Sequence, residues 1–148
     1  MVPDRIEREI VIAAPVERVW SVVTEAEHIG RWFGDAGAQV ELRPGGMFRC
    51  SWAEHGTVHG VVERVDAPRF FSYRWARPVG ADVKPGNSTL VEFTLTPEGN
   101  ETRLRVVESG FRSLDLSDLE RDKYATENWA GWKSELAELA GYVALQAA

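Results

Sequence analysis

The C-terminal stretch from Ser117 to Ala147 constrains this chain more than any other. Trp129, Trp132, Leu136, Leu139, Ala140 and Val143 recur at three- and four-residue steps, so two indoles and several aliphatic side chains share one stripe of a helix. Ser117 followed by Glu120 makes a capping box at its start, in which hydroxyl and carboxylate satisfy backbone N–H groups that have no helical partner. Unbroken, such a helix is roughly 45 Å long. Its apolar stripe has to lie on something broad, and the rest of the sequence supplies a sheet.

Residues 5–13 alternate Ile6, Arg8, Ile10 and Ile12 with charged neighbours, the period of a strand with one wet face. Pro15 suits the first turn of a helix carrying Val16, Val19, Trp20 and Val23. Thr24 and Glu27 read as a second capping box, which starts a short helix through Phe33 that Gly34 ends. From residue 37 the period is two. Val40 and Leu42 lead to the Arg43-Pro44-Gly45-Gly46 turn, and Phe48, Cys50 and Trp52 share a face of the next strand. A strand from Thr57 to Val65 follows, then one in which Phe71, Tyr73 and Trp75 alternate with Ser72 and Arg74. Residues 76–88 hold Pro and Gly in excess of what a hairpin needs and form a long loop. Val91, Phe93 and Leu95, then Leu104, Val106 and Glu108, face inward on the last two strands. Hairpins in succession give an antiparallel sheet, so the fold class is α+β in one domain spanning residues 1–148.

Several functions are excluded or disfavoured by composition. Seventeen Lys and Arg against 23 Asp and Glu leave a net charge of −6, which opposes nucleic acid and anionic membrane surfaces. The single Cys50 can form no internal disulfide and no zinc cage, which suits a reducing cytoplasm. The first residues lack an apolar signal core, and no run approaches membrane-spanning length, so the expected location is cytoplasmic. No phosphate-loop, dinucleotide, nucleophile-elbow or metalloprotease pattern is present, and neither a cofactor nor a metal is expected.

The collinear run Ala13-Ala14-Pro15-Val16-Glu17-Arg18-Val19-Trp20, Trp32-Phe33, Pro44-Gly45-Gly46-Met47-Phe48, Val65-Asp66-Ala67-Pro68-Arg69, Trp75, Glu108-Ser109-Gly110-Phe111 and Gly131-Trp132 with Leu136, Leu139 and Tyr142 resembles the START-like, or SRPBCC, superfamily. More narrowly it resembles the family named after the activator of the ninety-kilodalton heat-shock protein ATPase. The resemblance implies a helix-grip fold, a curved antiparallel sheet of about seven strands around a long C-terminal helix, with two short helices after the first strand. It also implies a cavity between helix and sheet for a hydrophobic or amphipathic small molecule, lipid-like or aromatic. Two alternatives come with it: a small aromatase/cyclase-like or hydrolase-like enzyme, and a co-chaperone acting on a chaperone ATPase. Oligomeric state, monomer or homodimer, stays open.

The residues expected to line that cavity are Trp32, Phe33, Phe48, Trp52, His59, Phe71, Tyr73, Trp75, Phe93, Glu108, Trp129, Trp132 and Leu136. Aromatic walls with a few polar groups are what small-molecule pockets use, although the same stripes also build a closed core. The portal is expected near residues 80–85 and at Trp32 and Phe33. Glu108 either orients a ligand and serves as an acid or base or, more simply, reaches solvent or an arginine such as Arg74 or Arg49 at the strand end. His59 could line the cavity and titrate near neutral pH, whereas Cys50 reads as a buried hydrophobe.

Overall fold

The computed structural model describes residues 2–147, with side chains through residue 145. Strands β1 (Arg5–Ile12), β2 (Ala38–Val40), β3 (Met47–Trp52), β4 (Gly56–Asp66), β5 (Phe70–Ala76), β6 (Ser88–Glu98) and β7 (Glu101–Ser109) form one antiparallel sheet in the order β1-β7-β6-β5-β4-β3-β2. The strands consecutive in sequence at the start, β1 and β2, therefore end on opposite edges. Helices α1 (Val16–Thr24) and α2 (Ala26–Trp32) carry the chain between those edges, α1 against β6 and β7 and α2 against β2 and β3. After β7 a single 3₁₀ turn, Phe111–Ser113, leads into α3 (Asp118–Ala147), which packs on β1, α1 and α2. This is the helix-grip α+β fold.

Local chemistry accounts for most element ends. Ser117 Oγ accepts the Glu120 N–H at 3.2 Å, so the expected cap opens α3. Gly45, at φ 81°, takes the left-handed position of the β2–β3 turn, and Gly46 N–H closes it on Arg43 O at 2.8 Å. The expected Thr24/Glu27 box does not form. Thr24 Oγ1 instead donates to Trp20 O at 2.7 Å, and Glu25 stands at the start of α2 with no side-chain cap. A threonine at a helix end has both bonds available, and burial of Thr24 favours the one back into its own helix. At the end of α2, a side chain on Gly34 would lie 2.6 Å from Ser51 O and 2.7 Å from Cys50 Sγ. Only glycine allows the chain to pass so close to β3, and that approach carries Phe33 into the interior.

The inner face of the sheet, with α1, α2 and α3 over it, holds the main core, including Ile12, Val19, Val22, Ile29, Phe48, Phe71, Tyr73, Phe93, Leu104, Val106, Trp132, Leu136 and Leu139. A smaller cluster of Phe111, Leu114 and Ala125 seals the start of α3. The outer face is polar: Arg103 pairs with Glu9 and Glu98, and Arg105 with Glu7, across β1, β7 and β6. Such solvent-screened pairs add little to stability.

Two inward assignments are corrected here. Trp129 is 46% exposed. The buried line of α3 runs through Ala125, Trp132, Leu139 and Val143, and residue 129 lies about 60° round the helix from Trp132 at 3.6 residues per turn. Its indole is covered instead by Arg8 from β1, whose guanidinium carbon sits 3.7 Å from the ring centroid and whose Nε–H donates to Trp129 O at 3.1 Å. His59 lies on the outer face. Phe48 pairs with Gly60 and Arg49 with His59, so parity sends His59 out beside Arg49, where its Nδ1 is 2.8 Å from Asp82 Oδ1.

Candidate functional site

The inner face is dominated by rings, and they fill it. Phe33 lies parallel to Trp132 (centroids 5.3 Å apart, 9° between planes) and to Trp75 (5.6 Å, 20°), with Trp52 and Trp32 each 5.2 Å away. Phe48 stacks on Tyr73 at 4.0 Å, and Phe93 meets Trp132 edge-on at 5.8 Å. The space expected to be a cavity beneath α3 is thus occupied by Phe33 and its neighbours. Phe48, Phe71, Tyr73, Phe93 and Leu136 are core packing, each at most 3% exposed.

One carboxylate lies among these rings. Alternation along β7 sends Glu108 inward after Leu104 and Val106, and it is 1% exposed. It meets neither solvent nor an arginine, contrary to the simpler expectation. Arg74 pairs with Glu63, and Arg49 lies near Asp82 on the outer face. Four neutral donors surround Glu108 instead. Oε1 accepts Trp132 Nε1–H at 2.9 Å and an Asn128 Nδ2–H at 3.0 Å. Oε2 accepts Thr89 Oγ1–H at 2.5 Å and Trp75 Nε1–H at 3.0 Å. Desolvation pushes the Glu108 pKa up, and the bonds from Thr89, Trp132, Trp75 and Asn128 pull against it. A carboxylate with every lone pair engaged by the protein is built to hold elements together.

Two further indoles are also satisfied: Trp32 donates to Val22 O at 2.8 Å, and Trp52 to Phe33 O at 3.0 Å. Burial holds the Tyr73 phenol well above its usual range and pushes the Cys50 thiol up to about 12, so neither supplies a nucleophile near neutrality.

Open volume begins immediately outside the ring cluster. A cleft of about 390 Å³ lies between α3 and the loop after β5, with Trp52, Val58, Trp75, Pro78, Val79, Tyr124 and Asn128 on its walls. Trp75 and Asn128 are two of the Glu108 donors, so the buried carboxylate stands one hydrogen bond behind the cleft floor. A second cleft of about 630 Å³ continues outward, sharing Arg77, Pro78, Tyr124 and Glu127 and adding Lys84, Pro85, Leu116 and Lys123. Both are open to solvent, and of the residues expected at the portal, 80–85, Lys84 and Pro85 line the outer cleft and none lines the inner one. The other expected portal residue, Trp32, borders a separate cleft of about 450 Å³ with Arg31, Gly141 and Tyr142. His59 borders a fourth, of about 460 Å³, on the outer face with Arg49, Ser51 and Thr57. Glu108 and His59 therefore stand on opposite faces of the sheet and form no acid–base pair.

Asn128, Thr89, Tyr124 and Arg77 were not among the sequence candidates. Asn128 had a signal, since it precedes Trp132 by one helical step of four; Arg77 and Thr89 flank the long loop and had none. Among the described residues no group of three or more His, Cys, Asp and Glu is placed to hold a metal ion, and no helix is long and apolar enough to cross a membrane.

The profile of the family described as "Activator of Hsp90 ATPase homolog 1-like protein" matches residues 13–144, nearly the whole chain. The chain belongs to this family. Within the START/SRPBCC fold, protein MLL2253 from Mesorhizobium loti is 24% identical, with a TM-score of 0.77 over 93% of this chain and 94% of that one. CalU16 from Micromonospora echinospora is 26% identical, TM-score 0.72, over 94% and 75%. DynU16, from the dynemicin biosynthetic locus, is 23% identical, TM-score 0.74, over 95% of this chain and 47% of its own. No curated protein matches. The family and this fold fit a ligand-binding scaffold.

Proposed function

We propose that this member of the family binds a hydrophobic or amphipathic small molecule, aromatic or lipid-like, in the cleft between α3 and the loop after β5. The observation that carries the proposal is the 390 Å³ cleft walled by Trp52, Trp75 and Tyr124 and floored by the Asn128 amide. Its size falls in the range of small-molecule sites, and its mix of apolar walls with few polar groups is theirs too. Apolar burial supplies affinity, at about 25 cal/mol per Å² of apolar surface. Glu108 serves indirectly, fixing the orientation of Trp75 and Asn128. Of the thirteen residues expected at the site, this reading keeps Trp52 and Trp75 as walls and Glu108 and Trp132 behind them, with Phe33 as the ring that closes the deeper interior.

The test is titration with N-phenylnaphthylamine, an uncharged fluorophore that brightens in apolar sites. Saturable binding is expected in the wild-type chain and its loss in Val79→Trp, which grows a ring into the cleft from a position 47% exposed. Binding indifferent to Val79→Trp, or no saturable binding, contradicts the proposal. Native mass spectrometry of protein purified from its own host gives the identity of a retained compound.

A further inference from the structure

The inner cleft is apolar on most sides, but its charges are unequal in their engagement. Two ionic side chains line it, Arg77 and Glu127. The Glu127 carboxylate lies 3.9 Å from the Lys123 ammonium. Arg77 has no carboxylate partner among the described residues. Its backbone is fixed, with its N–H on Asn87 O at 2.9 Å, and its guanidinium lies 4.6 Å from the centroid of the Tyr124 ring. That ring is itself a wall of both clefts. The guanidinium thus lies over an aromatic face beside an apolar slot, with no carboxylate on its N–H donors among the described residues. In the outer cleft Lys84 acts electrostatically on Asp82, and Asp115 and Glu120 line the walls.

We infer that the occupant of this cleft is an aromatic anion, an aryl carboxylate or sulfonate whose ring lies against Trp52, Trp75 and Tyr124 and whose acidic group is received by Arg77. The inference rests on the reading of the cleft as a small-molecule site and adds the charge of the ligand. Arginine pairs with planar carboxylates through parallel N–H bonds and stays charged at every physiological pH, so the preference holds across the neutral range. The net charge of −6 works against anions in general, which makes a preference for one at this position a property of the site.

The test uses two fluorophores with one ring system, anilinonaphthalene sulfonate and the uncharged N-phenylnaphthylamine. In the wild-type chain the sulfonate is expected to bind about 10-fold more tightly, the ratio that one charge-assisted contact gives. In Arg77→Met, which keeps the stem and loses the charge, that ratio is expected to fall to about 1, and in Arg77→Lys to lie between. Unchanged far-ultraviolet dichroism and an unchanged unfolding transition show that the variants are folded. If the two probes bind equally to the wild-type chain, or if the preference survives Arg77→Met, the inference is overturned while the cleft itself stands. If neither probe binds, the reading beneath it fails as well.

Discussion

Trp132 in α3 donates its indole N–H to Oε1 of Glu108 in β7 at 2.9 Å, joining the long helix to the sheet through a buried carboxylate. Asn128, one turn earlier, adds a second bond from the same helix, and Trp75 and Thr89 add β5 and β6. Four donors from three elements therefore converge on one side chain of a fourth. Removing the acceptor leaves the Trp132 indole N–H without its partner, while Trp75 Nε1–H keeps Thr89 Oγ1 at 3.0 Å. Glu108→Leu is expected to cost about 3–5 kcal/mol. Glu108→Gln, which keeps one acceptor oxygen and turns an NH₂ on the others, is expected to cost less. Urea unfolding checks the order; a Glu108→Leu chain as stable as wild type would show that the network contributes little.

Phe33 stands at the centre of the ring cluster, within 5.6 Å of four tryptophan centroids. Phe33→Ala is expected to cost about 3–5 kcal/mol and to leave an apolar void that stays dry until a ligand enters. N-phenylnaphthylamine should then bind more tightly, with blue-shifted emission, because the void adjoins Trp52 and Trp75. Unchanged affinity would mean that the void collapses or is closed off from the cleft.

Glu135 gives the chain a pH dependence of definite sign. Its Oε2 is buried with no hydrogen-bond partner. Desolvation, and then the Glu138 carboxylate, push its pKa up to about 7 from the ordinary 4.5. The folded state holds this proton more tightly than the unfolded state. The associated stability is therefore complete below about pH 4.5 and is lost as pH rises to about 7. The residue is only half-buried, so solvent screening reduces the effect to about 1 kcal/mol. Glu135→Gln is expected to raise the midpoint of urea unfolding at pH 8 and to change it little at pH 4.5; equal shifts at both would contradict the assignment.

Asp82 tethers the long loop to the outer face through His59, whose hydrogen bond lowers the Asp82 pKa below its ordinary 3.8. The tether is complete above that value and is lost as pH falls through the lowered one. Asp82→Asn is expected to speed amide hydrogen exchange at residues 80–84 at neutral pH while leaving the β5–β6 ladder unchanged. Exchange unaltered in the loop would show that its backbone bonds hold it unaided.

Arg8 and Trp129 are coupled across β1 and α3. A double-mutant cycle of Arg8→Met and Trp129→Phe is expected to give about 0.5–1 kcal/mol of interaction energy. Additivity within error would contradict the contact.

The sheet was legible because alternation is a local property: Phe48, Cys50 and Trp52 declare their face without reference to any other strand. His59 was misplaced for an equally local reason. The register shift between Val62 and Arg64 breaks the parity of β4, so its valines no longer reveal which residues face inward. Glu108 was placed on the correct face, but its partners lie 19 to 33 positions from it along the chain, and no spacing rule connects them to it. Phe33 illustrates the remaining limit. Its aromatic character suits a cavity wall and a plug equally, and only the approach of Gly34 to β3 makes it the plug.

The central claim is that a small molecule sits in the cleft in front of Glu108, and the six indole N–H signals of the chain report on it most directly. In a proton–nitrogen correlation spectrum, titration with N-phenylnaphthylamine is predicted to move the Trp52 and Trp75 indole signals with one saturating curve and to leave those of Trp20 and Trp129 in place. Saturable movement confined to other tryptophans, or no movement at all, would contradict the claim.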